Sequence, residues 1–178
     1  MKKQHIWRLT AVIVAVGAVV VSYFAKEAYR NHIIKTAKEE WTVRLTDNRE
    51  DFDYIAEKLN AADTKNRKCY IELSDTVSMQ DLKPEEIPEY DKLEAAFQRI
   101  RKTGVNNIIH SEGNWVFVDH HYKNPAEAKK KDGAFHDEGV VYSETALGKK
   151  DALIYDNWYF TYADYYNKAS WLHAYFYE

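Results

Sequence analysis

The residues best suited to catalysis or metal binding are the run Asp119, His120 and His121. Glu112 lies seven positions before the first of them. Histidine and carboxylate side chains together are typical ligands of zinc, and they also form general bases with an acid that orients them. One interpretation of these four residues is therefore a metal-dependent or acid–base hydrolase.

The order of these residues argues against a single site. On a β-strand, His120 and His121 lie on opposite faces, so they cannot both ligate one metal ion unless the strand breaks there. His110 and the pair His136-Asp137 are near enough in the sequence to be considered as well. The sequence has no HExxH motif, no paired CxxC motif and no Gly-rich phosphate loop. The competing interpretation is a solvated strand end, so we expect no metal, no cofactor and no catalytic residue.

Aromatic residues are concentrated near the C-terminal end of the chain. Trp158, Phe160 and Tyr162 share one face of a predicted strand, and Trp171 and Tyr175 share a face of the last one. Rings on a sheet face usually form the core. Two aromatic faces exceed what one small core buries, and a surplus of Tyr and Trp suits stacking on sugars or contact with a protein. These five residues are the candidate binding face.

The charge and cysteine content restrict the classes of partner. The residues after position 25 carry 22 basic and 28 acidic side chains, a formal charge of −6. A mildly acidic domain is a poor candidate for binding nucleic acid. Cys69 is the single cysteine among the 178 residues, so no intramolecular disulfide can form. Its place in the apolar alternation of a predicted strand indicates a buried thiol.

An apolar run near the N-terminus predicts a membrane anchor. Residues 9–25, LTAVIVAVGAVVVSYFA, are 17 apolar or small residues without a charge. As a helix the run would extend ~26 Å, a little less than the ~30 Å hydrocarbon core of a bilayer. Trp7 and Tyr23 lie near its two ends, where aromatic rings favour the headgroup region.

The basic head before the run predicts its orientation. Residues 1–8 carry Lys2, Lys3 and Arg8, so the positive-inside rule places the N-terminus in the cytoplasm. A basic head before an apolar run also fits a cleaved signal peptide, but Tyr23 stands where the peptidase requires a small residue. We predict an uncleaved signal-anchor in a single-pass protein of the cell membrane with an extracytoplasmic domain.

A helical stripe follows the run. From Ile34 to Leu59, apolar residues recur at alternating spacings of three and four. The polar stretch at positions 46–48 could instead end one helix and cap a second that begins at about Arg49. The stripe could pack on the domain's own sheet, or it could form a coiled-coil dimer, whose seam Asn48 would weaken.

The remaining pattern predicts a helix from Glu89 and several strands. The predicted strands are 69–74, 105–110, 115–121, 139–144, 152–163 (one strand, or a pair bent near Asp156) and 171–177. The predicted fold class is α+β: an N-terminal transmembrane helix, then two or three helices packed on one face of an antiparallel sheet of about five or six strands. The predicted parts are a head (1–8), an anchor (9–25), a helical stalk (26–48) and an extracytoplasmic domain (49–178).

Two short motifs carry a resemblance to a known group of proteins. The segment Gly139-Val140-Val141-Tyr142-Ser143 is a Tyr-Ser strand, and Asn157-Trp158-Tyr159 is an Asn-Trp-Tyr motif. With the anchor and the two helices, this layout resembles small uncharacterised membrane-anchored proteins of Gram-positive bacteria. The resemblance implies no activity and no catalytic residue.

Taken together, the sequence favours a non-enzymatic, membrane-tethered module that binds an envelope protein or a cell-wall polymer through its aromatic sheet end. One alternative is the tethered hydrolase described above. Another is an immunity or chaperone-like partner of a secreted protein.

Overall fold

The structure of the chain is a computed structural model that describes residues 2–62, 67–111, 113–122, 135–145, 147 and 152–165. For residues 2–13, 111, 121–122, 135–136 and 163–165 it describes the backbone alone. The chain divides into two compact units, Met1–Ala37 and Lys38–Glu178.

The helices and strands follow one another in the order α, α, β, β, α and then five further strands. Their bounds are α1 Lys2–Asp47, α2 Arg49–Ala61, β1 Cys69–Leu73, β2 Val77–Gln80, α3 Tyr90–Arg101, β3 Asn107–Ser111, β4 Asn114–Tyr122, β5 Phe135–Tyr142, β6 Leu153–Tyr155 and β7 Trp158–Tyr165. A short 3₁₀-helix, Pro84–Glu86, lies between β2 and α3.

All seven strands of the described residues form one antiparallel sheet in the order β2-β1-β3-β4-β5-β7-β6. With the three α-helices this confirms the predicted α+β class, while the predicted count of five or six strands is wrong. In the part of the chain whose side chains the structure describes, no helix is long and apolar enough to cross a membrane. The anchor at residues 9–25 stays a prediction, and the predicted strand 171–177 lies outside the described residues.

Two strands differ from the sequence pattern for identifiable reasons. β2 lies in a segment for which the sequence pattern predicts no strand. The pattern misses it because β2 is a four-residue edge strand with only Val77 and Met79 partly buried. β5 begins at Phe135 rather than at Gly139. The sequence pattern misses its first half because the residues at 136–138 are polar on both faces and show no apolar alternation. The segment predicted as one strand or a bent pair is the pair β6 and β7, joined at Asp156, where φ is +44°.

The helical stripe breaks at Asn48, as one of the two sequence interpretations predicts. α1 ends at Asp47 and α2 begins at Arg49. The Asn48 side-chain amide donates to the carbonyl of Arg44 (2.8 Å), so it satisfies a terminal carbonyl of α1 rather than an amide of α2. Asn48 therefore ends the first helix.

The apolar side chains of the stripe are buried within the second unit. Phe52 of α2 contacts Phe117 of β4 and Trp158 of β7, with ring centroids 5.5 and 5.6 Å apart. The residues of this helix-covered core that are fully buried include Trp41, Leu45, Phe52, Ile55, Leu59, Ile71, Leu93, Phe97, Ile100, Ile108, Phe117 and Val140. Within the second unit, the stripe residues Trp41, Leu45, Phe52, Ile55 and Leu59 are buried in the chain's own core, and the coiled-coil alternative stays a prediction.

The opposite face of the sheet carries a smaller apolar cluster. Its buried members are Val116, Val118, Val141 and Tyr159, and the partly buried Ile109, Leu147 and Ala152 pack against it. Both faces of the sheet are therefore packed with apolar side chains at its centre. This packing determines which face each central residue occupies.

A polar contact joins α2 to the start of α3. Glu89, just before α3, receives hydrogen bonds from Lys58 of α2 (2.9 Å) and from Lys92 (2.7 Å). The hydrogen bonds and charges of these two lysines lower the pKa of Glu89 to about 2.

This contact predicts a stability loss in acid. The folded-state pKa of Glu89 lies below its unfolded value of about 4.3, so the contribution is present above that value and is lost as the pH falls toward 2. We expect the change in the urea midpoint between pH 5 and pH 2.5 to be smaller in Glu89→Gln than in the wild type. An identical change in both proteins would contradict the assignment of this stability loss to Glu89. The matched control is Glu85→Gln, which removes another carboxyl group of the same exposed region.

Gly139 of β5 lies at a close approach of the β4 backbone. A Cβ atom at this position would collide with the carbonyl oxygen of Phe117 and lie 2.9 Å from the Cα of Val118. Because both obstacles are backbone atoms, no side-chain rotation can relieve them.

Gly139→Ala is therefore expected to lower the free energy of unfolding by at least ~3 kcal/mol, at or beyond the upper range of overpacking. The control is Gly113→Ala, since a Cβ there meets nothing within 4 Å and only the positive φ of +79° opposes it. We expect ~1–2 kcal/mol for that variant. Equal losses in chemical denaturation would contradict the close approach.

Candidate functional site

The strands β4 and β5 bring the two histidine–acid segments of the sequence side by side. Their register pairs Asp119 with Glu138, His120 with Asp137, and His121 with His136. Residues of a register pair share a face of the sheet, and neighbouring residues of a strand lie on opposite faces. The histidine–acid region is therefore divided between the two faces, as the spacing of His120 and His121 predicts.

On the helix-covered face, Asp119 contacts a guanidinium group. Nη1 of Arg44 in α1 lies 3.6 Å from Oδ2 of Asp119, whose side chain is only 11 % exposed. Gly104 leaves the space for this pair, because a Cβ atom at this residue would lie 2.9 Å from Arg44 Nη1 and 3.0 Å from Asp119 Oδ2. Its φ of +108° also favours glycine. The charge of Asp119 is thus balanced within the fold.

The side chain of Asn106, just before β3, ties the two faces together. Its amide nitrogen donates to the carbonyl of His120 (3.0 Å) and approaches Oδ1 of Asp119 (3.3 Å). Its amide oxygen accepts the backbone N–H of His120 (2.8 Å). The Asn106 side chain therefore forms with the His120 backbone the two hydrogen bonds that a paired strand residue would form. These bonds fix the backbone of β4 at His120.

On the other face, His120 and Asp137 form a direct pair. Nδ1 of His120 lies 2.5 Å from Oδ1 of Asp137, whose side chain is 4 % exposed, whereas that of His120 is 25 % exposed. The carboxylate can only accept, so Nδ1 carries the proton and donates it. This hydrogen bond orients the imidazole ring of His120.

Two described residues with groups that could act as nucleophiles, Ser143 and Cys69, are engaged elsewhere. The hydroxyl of Ser143 donates to the carbonyl of Thr145 (2.7 Å). The thiol of Cys69 is buried, burial raises its pKa, and its sulfur lies 3.5 Å from the carbonyl oxygen of Asp81. A protonated, buried thiol is a poor nucleophile, which agrees with the sequence interpretation of Cys69.

The two remaining residues considered with this region do not join the His120–Asp137 pair. His110 is buried beside Trp115 (ring centroids 4.6 Å apart), donates from Nδ1 to the carbonyl of Arg67, and has its pKa lowered mainly by burial. Glu112 lies outside the described residues. Among the side chains that the structure describes, no group of three His, Cys, Asp or Glu could hold a metal ion.

The aromatic residues proposed as a binding face lie in different environments. Trp158 and Phe160 are 1 % and 8 % exposed and belong to the core, and Tyr162 is half-buried. The indole N–H of Trp158 donates to Oδ1 of Asp53 in α2 (2.8 Å). The rings of Trp158 and Phe160 are therefore turned toward the helices rather than toward a partner. Trp171 and Tyr175 lie outside the described residues.

Sequence reasoning did not anticipate Arg44, Asn106 and Asp53 as partners of this region. Arg44 and Asp53 belong to helices whose polar faces carry many charges, so nothing local distinguishes them from solvated residues. Asn106 stands before a strand, where an amide is a common turn residue. Their roles depend on contacts between distant parts of the chain.

No family model, no curated protein and no solved structure matches this chain. The site is therefore described from its own geometry.

The division into two faces predicts which residues depend on one another energetically. Asp137→Ala should lower the free energy of unfolding by ~2 kcal/mol, the range of a hydrogen bond to a charged group. In a double-mutant cycle in EDTA, we expect a coupling of ~1 kcal/mol or more between His120→Ala and Asp137→Ala. His121→Ala is the matched control, and its effect should add to that of Asp137→Ala within ~0.5 kcal/mol. Stronger coupling to position 121 than to position 120 would contradict the pairing.

Proposed function

We propose that the chain is a membrane-tethered interaction module. Residues 9–25 form the anchor and the unit that begins at Lys38 lies on the extracytoplasmic side. The observation that carries the proposal is the surface of α1. Every side chain from Val14 to Lys26 is exposed, and the exposed large apolar residues there are Val14, Val16, Val19, Val20, Val21, Tyr23 and Phe24.

Apolar side chains surround the helix instead of forming one stripe. At 100° per residue, the large apolar residues from Val14 to Phe24 cover about 220° of the helix circumference, and Ala15 and Ala18 lie in the remaining sector. A helix that is apolar all round is stable when lipid or protein surrounds it. The run begins at residue 9, five positions before Val14, the first residue whose side chain is described. The full run of 17 residues, rather than the part with described side chains, supports a membrane span.

The second unit exposes far fewer large apolar side chains than residues 14–26 do, as expected of a folded domain rather than a membrane anchor. Among its described residues the exposed large apolar side chains are Val43 and Leu153, while its aromatic and branched residues are mostly buried. The basic head at residues 1–8 favours an N-terminus in the cytoplasm. An envelope protein or a cell-wall polymer is the partner class that this location makes available.

Charged substitutions in the run test the anchor. Val16→Asp with Val20→Asp should move the protein from the carbonate-resistant membrane fraction to the soluble fraction, because each Asp near a helix centre costs ~3 kcal/mol on insertion. Val43→Asp is the matched control: Val43 is an exposed valine of the same helix, 58 % exposed, and this variant should stay in the membrane fraction. Retention of the double variant in the membrane would contradict the anchor.

A cysteine tests the side of the membrane. In a Cys69→Ala background, Glu85→Cys places one thiol on an exposed residue of the second unit. Cells that express this variant should react with a membrane-impermeant maleimide without lysis. A thiol placed in the head by Lys3→Cys should react only after lysis. The reverse pattern would contradict the extracytoplasmic location.

A further inference from the structure

His110 of β3 is a titratable residue that lies inside the helix-covered face of the sheet. In the register it is opposite Trp115, which shares a face of β4 with Phe117. His110 is 3 % exposed, and its ring stacks on the fully buried Trp115 with ring centroids 4.6 Å apart. Nδ1 donates to the carbonyl of Arg67 (2.8 Å), so a second proton would enter the ring at Nε2.

The titratable and charged groups around His110 come from the edge of the sheet. Cys69 is directly opposite on β1, and Arg67, Asp81 and Glu86 lie near enough to alter the pKa of its thiol. The hydrogen bond of the His110 ring goes to a backbone carbonyl rather than to any of these charges. The buried residues of α2 and α3 are all apolar, namely Phe52, Ile55, Ala56, Leu59, Leu93, Ala96, Phe97 and Ile100.

A second proton would place a full charge where burial disfavours it. Burial is the larger influence on the pKa of His110 and lowers it, while the hydrogen bond to Arg67 raises it to a smaller extent. The face of the Trp115 indole recovers part of the cost of a cation, but it does not replace the water that a charged imidazole loses on burial. The closed arrangement therefore favours the neutral ring.

The edge of the sheet is the side of His110 that can yield. Trp115 belongs to β4 at the centre of the sheet, whereas β1 and β2 are its last two strands in the described residues and contain only five and four residues. Strands at an edge with few buried contacts open at a lower free energy than the core does.

Three contacts hold this edge together, and we refer to them as the edge latch. The first is the hydrogen bond from His110 to the Arg67 carbonyl, and the second is the ion pair between the Arg67 guanidinium and Glu86 of the 3₁₀-helix (3.0 Å). In the third, the sulfur of Cys69 lies 3.5 Å from the carbonyl oxygen of Asp81. Arg67, Asp81 and Glu86 also line an open groove of about 510 Å³. The latch thus links a buried imidazole to a surface groove.

We propose that His110 makes this edge a pH-sensitive element, in which uptake of a second proton by the ring opens the edge latch. In the open form the charged imidazole reaches water, and Cys69 becomes accessible. Because the open form binds the proton more tightly, the contribution of the neutral ring is fully present above pH ~6.5 and is lost as the pH falls below that value. This behaviour of the edge is independent of the membrane anchor.

Cys69 reports the opening, because it is the single cysteine of the chain and is 1 % exposed. The full-length chain in detergent micelles is treated with 4,4′-dithiodipyridine at pH 7.5 and at pH 5.0. Each labelling rate is divided by the rate for the same protein unfolded in urea at the same pH, which gives an opening ratio. We expect this ratio to be ~3- to 30-fold higher at pH 5.0, where ~30-fold is the limit for a ring that titrates near pH 6.5 when open and stays neutral when closed. An opening ratio that does not rise in acid would overturn the pH-sensitive latch.

Two variants assign the acid response to one histidine. His110→Asn keeps a side-chain amide that can donate to the Arg67 carbonyl but has no titrating ring, so its opening ratio should change less than ~2-fold between the two pH values. His32→Gln removes an exposed histidine of the first unit and should keep the full wild-type rise. A rise in His110→Asn equal to that of the wild type would overturn the role of His110.

A measurement on the wild type alone distinguishes opening of the edge from unfolding of the whole unit. At pH 5.0 the opening ratio of Cys69 should be nearly independent of urea at concentrations below the unfolding transition, because a local opening exposes little surface. A urea dependence as steep as that of global unfolding would show that Cys69 reacts only in the unfolded chain, and it would overturn the edge latch even if His110→Asn failed to fold.

Discussion

The close approach of β4 and β5 at Gly139 is the constraint on which the rest of the site depends. The backbone of Phe117 and Val118 lies where the Cβ of any other residue would be. The register that follows from this contact is continuous from Trp115 opposite Tyr142 to Tyr122 opposite Phe135. A shift of one residue would exchange the two faces of β5, remove Val140 from the row of Phe117 and separate Asp137 from His120.

The helices hold this register from one side. Phe52 contacts both Phe117 and Trp158, so a single ring of α2 links β4 to β7 across β5. Asp53, the next residue, accepts the indole N–H of Trp158. Arg49, at the start of the same helix, lies 4.4 Å above the ring of Tyr155 and pairs with Asp156 (2.9 Å). The start of α2 therefore fixes the β6–β7 hairpin against the centre of the sheet.

Properties that depend on local periodicity could be predicted from the sequence. The apolar run, the stripe that breaks near Asn48 and the alternation from Trp115 to Asp119 are each visible within about ten residues. The placement of positions 120 and 121 on opposite faces of a strand also follows from strand geometry alone. The α+β class follows from the order of these elements.

Properties that depend on pairing between distant strands could not be predicted. The first half of β5 contains His136, Asp137 and Glu138, and such a polar segment becomes a strand because β4 and β7 supply its hydrogen-bond partners. Asp137 as the partner of His120 follows from that register. The burial of Trp158 likewise depends on Phe52, 106 positions earlier in the chain, and no local pattern shows that contact.

A disulfide cross-link measures the β4–β5 register directly. Directly opposed residues have Cα atoms ~4.5–5.5 Å apart, within the range that a disulfide spans. In a Cys69→Ala background, His121→Cys with His136→Cys should form an intramolecular disulfide on mild oxidation. His120→Cys with His136→Cys should not, because these positions lie on opposite faces. If the second pair cross-links and the first does not, the register is wrong, and the division of the histidine–acid region between two faces is wrong with it.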